Sequence, residues 1–217
     1  MSRLVLQFLS FVLLVLSRSY FLPSVQPLSF IFVAEFYFCR GREYQNRWEF
    51  ARAIADYNQA LRLNPRYTEA YFYRGNSYST RRDYRTAIAN YNQALQLGKH
   101  PRRDLVYYNR GIAQGVLKNY RAAAQDFTSA INTHPRTLPP DPYTHEMRGL
   151  AYFYLRNRQA AINDFQRAAS IYWGSNKKDD YFKTLEVIEA IRQPRTTQIP
   201  VDWSGVTLDY SERQTKC

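Results

Sequence analysis

Residues with reactive side chains are scarce in this chain. Two cysteines, Cys39 and Cys217, are too few for a disulfide framework or a metal-ligand cluster, and nothing in the sequence argues that they pair. They also leave the redox compartment open. Of the three histidines, His100 and His134 precede prolines and His145 does not. None has a Cys, Asp or Glu partner at metal-ligand spacing. The eight glycines never gather into a phosphate-cradling loop, and no nucleophile elbow occurs. These shortages argue against catalysis, a cofactor, a metal site or a small-molecule substrate. Acidic residues are also few, 18 against 30 basic, which leaves a net charge of +12; 24 of the cations are arginine. No apolar run reaches the length of about 20 residues that spans a bilayer comfortably.

Aromatic residues, by contrast, are plentiful, with 19 Tyr and 13 Phe, and they fall on a repeat. Arg-Gly pairs occur at Arg40-Gly41, Arg74-Gly75, Arg110-Gly111 and Arg148-Gly149, with the glycines 34, 36 and 38 residues apart. Twelve residues after each Gly stands an Ala: Ala53, Ala87, Ala123 and Ala161. Four further on comes an aromatic, Tyr57, Tyr91, Phe127 or Phe165, and three more brings Ala60, Ala94, Ala130 or Ala168. A fixed period of this length predicts an array of helical hairpins. Each unit holds two helices of about 13 residues. The small Gly and Ala let the two helices approach, and the aromatic and second Ala share one face of the second helix. One hairpin cannot bury its apolar face alone, so stacking supplies the core. Asn64-Pro65 and His134-Pro135 end the second helices of units one and three, because proline lacks an N–H and disfavours helix before it.

The pattern resembles the tetratricopeptide repeat family over roughly residues 34–192. Counting units from Ala34, Thr68, Asp104 and Pro142 puts the Gly at position 8, the Ala at 20, the aromatic at 24 and the second Ala at 27. Position 4 reads Tyr37, Tyr71, Tyr107 and His145; position 11 reads Tyr44, Tyr78, Gln114 and Tyr152. Arg replaces the family's usual Leu at position 7, and His145, Gln114, Lys99 and Trp173 also depart from its pattern. The resemblance implies an all-α fold, a right-handed superhelical array of antiparallel hairpins (an α-solenoid). Its units would be 34–67, 68–101, 104–137 and 142–175. Asp179–Arg192 reads as a covering helix, with Phe182, Leu185, Val187, Ile188 and Ile191 at helical period. Residues 193–217 read as an irregular tail for which disorder is the default, with Trp203 and Tyr210 able to dock back or bind a partner.

Residues 1–33 stand apart. Leu4–Leu16 is a 13-residue apolar run after Arg3, which fits a signal-peptide core with cleavage before Tyr20. Export or membrane attachment is the expectation. An uncleaved anchor, a stretch upstream of the true start and a cytoplasmic location are the alternatives. Leu28–Phe38 is a second apolar stretch that runs into unit one and reads as helix packing on that unit rather than as membrane.

Position 7 carries Arg40, Arg74, Arg110 and Arg148, and position 23 carries Asp56, Asn90, Asp126 and Asp164. A guanidinium ladder for an anionic partner is one reading. Arg–Asp pairing inside each hairpin is the favoured one, since a buried charge needs a partner.

The resemblance further implies a concave groove lined by positions 2, 5, 9 and 12, with 13 beside them. Phe38, Arg42, Phe72, Asn76, Tyr108, Ile112 and Leu150 are the candidate contacts for a peptide or protein segment, and this makes the chain a non-catalytic scaffold or adaptor. The groove is mixed near unit one and apolar near units three and four, where the covering helix or the tail is the competing occupant. The family's carboxylate clamp is not expected: Asn76 and Asn109 match it, but Phe72, Tyr143 and Met147 replace its cations. The alternative reading uses the intra-hairpin turns, where Arg47, Arg81, Arg82, Arg85, Lys118, Arg121, Arg156 and Arg158 would line one basic edge for RNA or anionic lipid.

Overall fold

In the computed structural model the described residues are 28–203, apart from positions 99, 101, 195 and 202. Among them all regular structure is helical: α1 (Leu28–Asn46), α2 (Phe50–Leu63), α3 (Thr68–Thr80), α4 (Tyr84–Leu97), α5 (Arg103–Val116), α6 (Tyr120–Thr133), α7 (Pro142–Tyr154), α8 (Arg158–Gly174) and α9 (Lys178–Arg192). Helices α1–α2, α3–α4, α5–α6 and α7–α8 form hairpins. Each hairpin packs on the next through α2–α3, α4–α5 and α6–α7, and α9 packs on α8. The result is an all-α helical repeat array.

The repeat signature acts through close approach. A Cβ added to Gly41 would meet the Tyr57 ring at 2.7 Å, one on Gly75 the Tyr91 ring at 2.7 Å, and one on Gly111 the Phe127 ring at 2.8 Å. All three rings are fully buried. The first helix of each hairpin therefore lays bare backbone under the ring from the second. The turns are equally regular. Trp48, Arg82, Lys118 and Arg156 sit at the same place in the four hairpins, each with φ of 63° or 64°. In the second hairpin Arg82 N–H donates to Ser79 C=O at 2.8 Å and Asp83 N–H to Tyr78 C=O at 2.9 Å, which satisfies carbonyls left over at the helix end.

The position-7 arginines are structural. Arg40, Arg110 and Arg148 each grip the position-23 Asp of their own hairpin through Nε and Nη2, at 2.5 to 2.9 Å. A third donor reaches back one unit: Arg110 Nη1 to Asn92 Oδ1 at 2.6 Å and Arg148 Nη1 to Thr128 Oγ1 at 3.2 Å. Arg74 makes the same bridge with amides, to Asn90 at 2.7 Å and Asn58 at 2.6 Å. One side chain thus closes a hairpin and ties it to its predecessor.

Both ends refine the sequence reading. Helix α1 begins at Leu28, ahead of the unit start at Ala34 and in line with the reading of Leu28–Phe38 as helix, because no helix breaker separates Leu28–Val33 from the repeat. This front portion leaves Phe30, Ile31, Phe32 and Phe36 exposed. The run Leu4–Leu16 lies outside the described residues. Among those described, no helix is long and apolar enough to cross a membrane. Cys39 is disulfide-bonded, contrary to the expectation of an unpaired thiol; Cys217 lies outside the described residues. Helix α9 covers the fourth hairpin with Thr184, Val187, Ile188 and Ile191. Phe182 and Leu185, expected on that face, are exposed instead, since the buried stripe runs through 184, 187, 188 and 191.

Candidate protein-interaction site

Most of the expected groove contacts are covered in this structure, and Tyr108, Ile112 and Leu150 belong to the cluster against which Ile199, Val201 and Trp203 pack. Phe38, Phe72, Asn76, Tyr108, Ile112 and Leu150 are all buried. Large rings at position 5 fill the gap between adjacent helices rather than facing out. Phe38 packs on Tyr57, Tyr67 and Tyr73, Phe72 on Tyr91 and His100, and Tyr108 on Phe127. Asn76 Oδ1 accepts from Tyr91 Oη at 2.8 Å and from Asn109 Nδ2 at 2.9 Å, so these two asparagines bond each other inside the array. Arg42 is half-buried, its guanidinium 4.7 Å from the Tyr73 ring. At the far end Glu146 faces inward: Oε2 accepts from Tyr172 Oη at 3.1 Å, and Oε1 lies 3.0 Å from Thr184 Oγ1. Burial pushes the carboxyl of Glu146 up, and the same burial pushes the Tyr172 phenol up.

A segment without regular secondary structure packs on the third and fourth hairpins, and it belongs to the chain's own tail. Arg158, expected on the basic edge, holds its beginning. The guanidinium donates to the carbonyls of Ile191, Gln193, Pro194 and Thr196, satisfying acceptors freed where α9 ends. Beyond it Ile199 and Val201 join the apolar clusters of these hairpins beside Tyr152, Tyr154 and Ile162. Trp203 lies near-parallel to Phe127 at 6.1 Å and to Tyr120 at 6.3 Å, and Tyr120 in turn stacks on Tyr154 at 4.6 Å. The indole rests on the backbone of Gly115, where an added Cβ would stand 2.4 Å from the ring. Gly115 is position 12 of its unit, an expected groove position. The described tail is therefore seated on the array rather than disordered, while Tyr210 lies outside the described residues. Two signals for this were present: a bare Gly at a lining position, and the alternation Ile199, Val201, Trp203.

The seven other edge cations, Arg47, Arg81, Arg82, Arg85, Lys118, Arg121 and Arg156, are all exposed. Trp48, at the matching turn of the first hairpin, is exposed beside them. His100 is buried against Phe72, and burial lowers its basicity. His134 Nδ1 lies 3.0 Å from Asp104, which also takes two bonds from Arg102. Burial pushes the Asp104 carboxyl up, but Arg102 and His134 together outweigh that and hold it low. Among the described residues no group of three or more His, Cys, Asp or Glu is placed to hold a metal ion.

Comparison with known proteins agrees with this architecture. A family model described as TPR repeat matches residues 41–80, and one described as tetratricopeptide repeat matches residues 74–142. The chain is a tetratricopeptide repeat (TPR) protein. Similar solved structures include MamA from Desulfovibrio magneticus RS-1, with 18% identity, a TM-score of 0.59, and coverage of 73% of this chain and 92% of that one. PilF from Pseudomonas aeruginosa shares 18% identity at a TM-score of 0.55, over 72% of this chain and 75% of its own. YrrB, described as a TPR protein with an unusual peptide-binding site, shares 19% identity at a TM-score of 0.51, over 73% of this chain and 86% of its own. At these identities the likeness is one of fold. No curated protein matches the chain by sequence. Membership of the TPR family puts the chain in the general class of protein-interaction scaffolds, which are as a rule non-catalytic.

Proposed function

We propose that this TPR protein is a non-catalytic adaptor that holds an extended segment of a partner protein against its third and fourth hairpins. The observation that carries this reading is the tail: the array already holds Ile199, Val201 and Trp203 of its own chain on a surface of stacked rings. Extended segments gain specificity from side chains that enter successive pockets, which a repeat array provides in series. The test is capture from native-host lysate on the tagged full chain, at several salt concentrations, with and without nuclease. A protein retained at moderate salt in both nuclease arms supports the adaptor. Recovery that vanishes with nuclease or salt contradicts it.

A second reading is supported by the turn residues. A non-glycine residue at positive φ costs about 1–2 kcal/mol relative to a relaxed conformation, and three of the four hairpins carry that strain on a cation, Arg82, Lys118 or Arg156. A row of exposed cations beside Trp48 suits an anionic polymer or bilayer surface. Changing Arg81, Arg82 and Arg85 to Glu would then abolish a steeply salt-dependent association with RNA or anionic vesicles. An association unchanged by the triple variant removes this reading. Export or membrane attachment through Leu4–Leu16 stays part of the proposal; N-terminal sequencing of the native protein tests it, with Tyr20 the expected first residue.

A further inference from the structure

We infer that the seat under Trp203 is the partner-binding site, and that it takes an extended segment carrying two aliphatic residues and then an apolar aromatic ring at alternate positions. The chain's own Ile199, Val201 and Trp203 occupy it in the partner's stead. This rests on the adaptor reading above and supplies the chemistry that the partner must have.

Residues 199, 201 and 203 alternate along the tail, and their apolar side chains are the ones expected to meet the array. All three do so. The seat is built for a flat ring: Gly115 leaves its backbone uncovered, and Phe127 and Tyr120 lie within 11° and 20° of the indole plane. Attachment of the segment is by side chains. After the Thr196 carbonyl, no hydrogen bond joins its described residues to the helices. The indole is also an imperfect match, because Nε1 is buried with no acceptor. A buried donor without a partner weakens the complex that contains it. Phenylalanine keeps the stacking and discards the unpaired donor, so a partner with Phe at the third position binds better than the tail sequence does. A tethered occupant works at millimolar effective concentration, which lets a weak tail cover the seat until such a partner arrives.

The probe is a fluorescent peptide with the sequence of residues 196–205, made as such and with Trp203→Phe. It is titrated into three full-length proteins: wild type, Trp203→Ala, and Gly115→Ala/Trp203→Ala. Reductant in every arm keeps disulfides from contributing, and circular dichroism checks that each variant is helical. Trp203→Ala is expected to bind at least tenfold tighter than wild type, with the Phe peptide ahead of the Trp peptide. The double variant is expected to lose binding, because the new methyl stands where the ring must lie. Equal affinity for wild type and Trp203→Ala overturns the inference, as does binding that survives in the double variant or no binding to any protein. A wild-type dimer dissolved by Trp203→Ala also overturns it, since the seat would then belong to a second copy's tail. Host-protein capture separates the two levels. Capture that is equal on all three proteins keeps the adaptor and removes the seat; peptide binding as expected with no captured protein removes the adaptor and keeps the seat.

Discussion

A guanidinium in place of leucine has two readings, a ladder for an anionic partner or a pair inside the hairpin, and its neighbours show the pair. Arg148 and Arg110 spend their donors inside the array, yet their carboxylates are not equivalent. Burial pushes Asp164 up, but His145 and Arg148 outweigh it and hold the carboxyl low. At Asp126 burial prevails over Arg110 and the carboxyl is raised. Asp164→Asn should therefore cost more than Asp126→Asn, about 2 kcal/mol against about 1 in urea unfolding. Because its pKa is depressed, the Asp164 contribution is present above the ordinary carboxylate range and lost as pH falls through the folded value. Glu146 behaves in the opposite sense. Its raised pKa means that the folded state loses stability as pH rises from about 4.3 through the folded value. The Thr184 hydroxyl has one proton and a second acceptor in reach, the Asp180 carbonyl at 2.7 Å, which leaves the carboxylate poorly solvated. Glu146→Gln should add about 1 kcal/mol at pH 7, with the gain fading toward pH 4, read as the urea midpoint at each pH.

At the scale of the element, the hairpin closes through a contact between glycine backbone and an aromatic ring, beside the bridge from the position-7 arginine. Gly111→Ala should cost about 1–3 kcal/mol through its clash with Phe127, despite the better helix propensity of alanine. Gly115→Ala, four residues on along the same helix, should leave hairpin stability intact and release only Trp203. Thermal unfolding of the two variants separates these effects, and equal losses would contradict the division of roles. The hairpins and their register were legible in the sequence because Gly, Ala and ring recur at fixed offsets, and each offset has a packing reason. The paired arginines were legible for the same cause, since an Arg at position 7 recurs with an Asp or Asn at position 23. The inner face was not. Position numbers place Phe72 and Tyr108 on the groove side of a helix, but whether a ring there stands free or plugs the gap between units depends on the separation of neighbouring helices. That separation is a property of the packed array and not of any one unit. The tail was legible only as one competing occupant of the groove at units three and four, because the choice between tail, covering helix and partner depends on the packed array.

Across the whole molecule the array has unlike ends and unlike edges. The first helix presents Phe30 and Phe32 to solvent, α9 closes the opposite end, exposed cations follow the turns, and the tail covers the third and fourth hairpins. The account turns on that covering segment being seated and displaceable. The three tryptophans make this directly visible. Trp48 and Trp173 are 71% and 58% exposed, whereas Trp203 is stacked between rings. Acrylamide quenching of the full-length protein should find one tryptophan population shielded and the others accessible. Adding the unlabelled Trp203→Phe peptide should make the shielded population accessible, with a red shift in emission. Full accessibility before the peptide is added, or a shielded population that no concentration of peptide releases, would contradict the account.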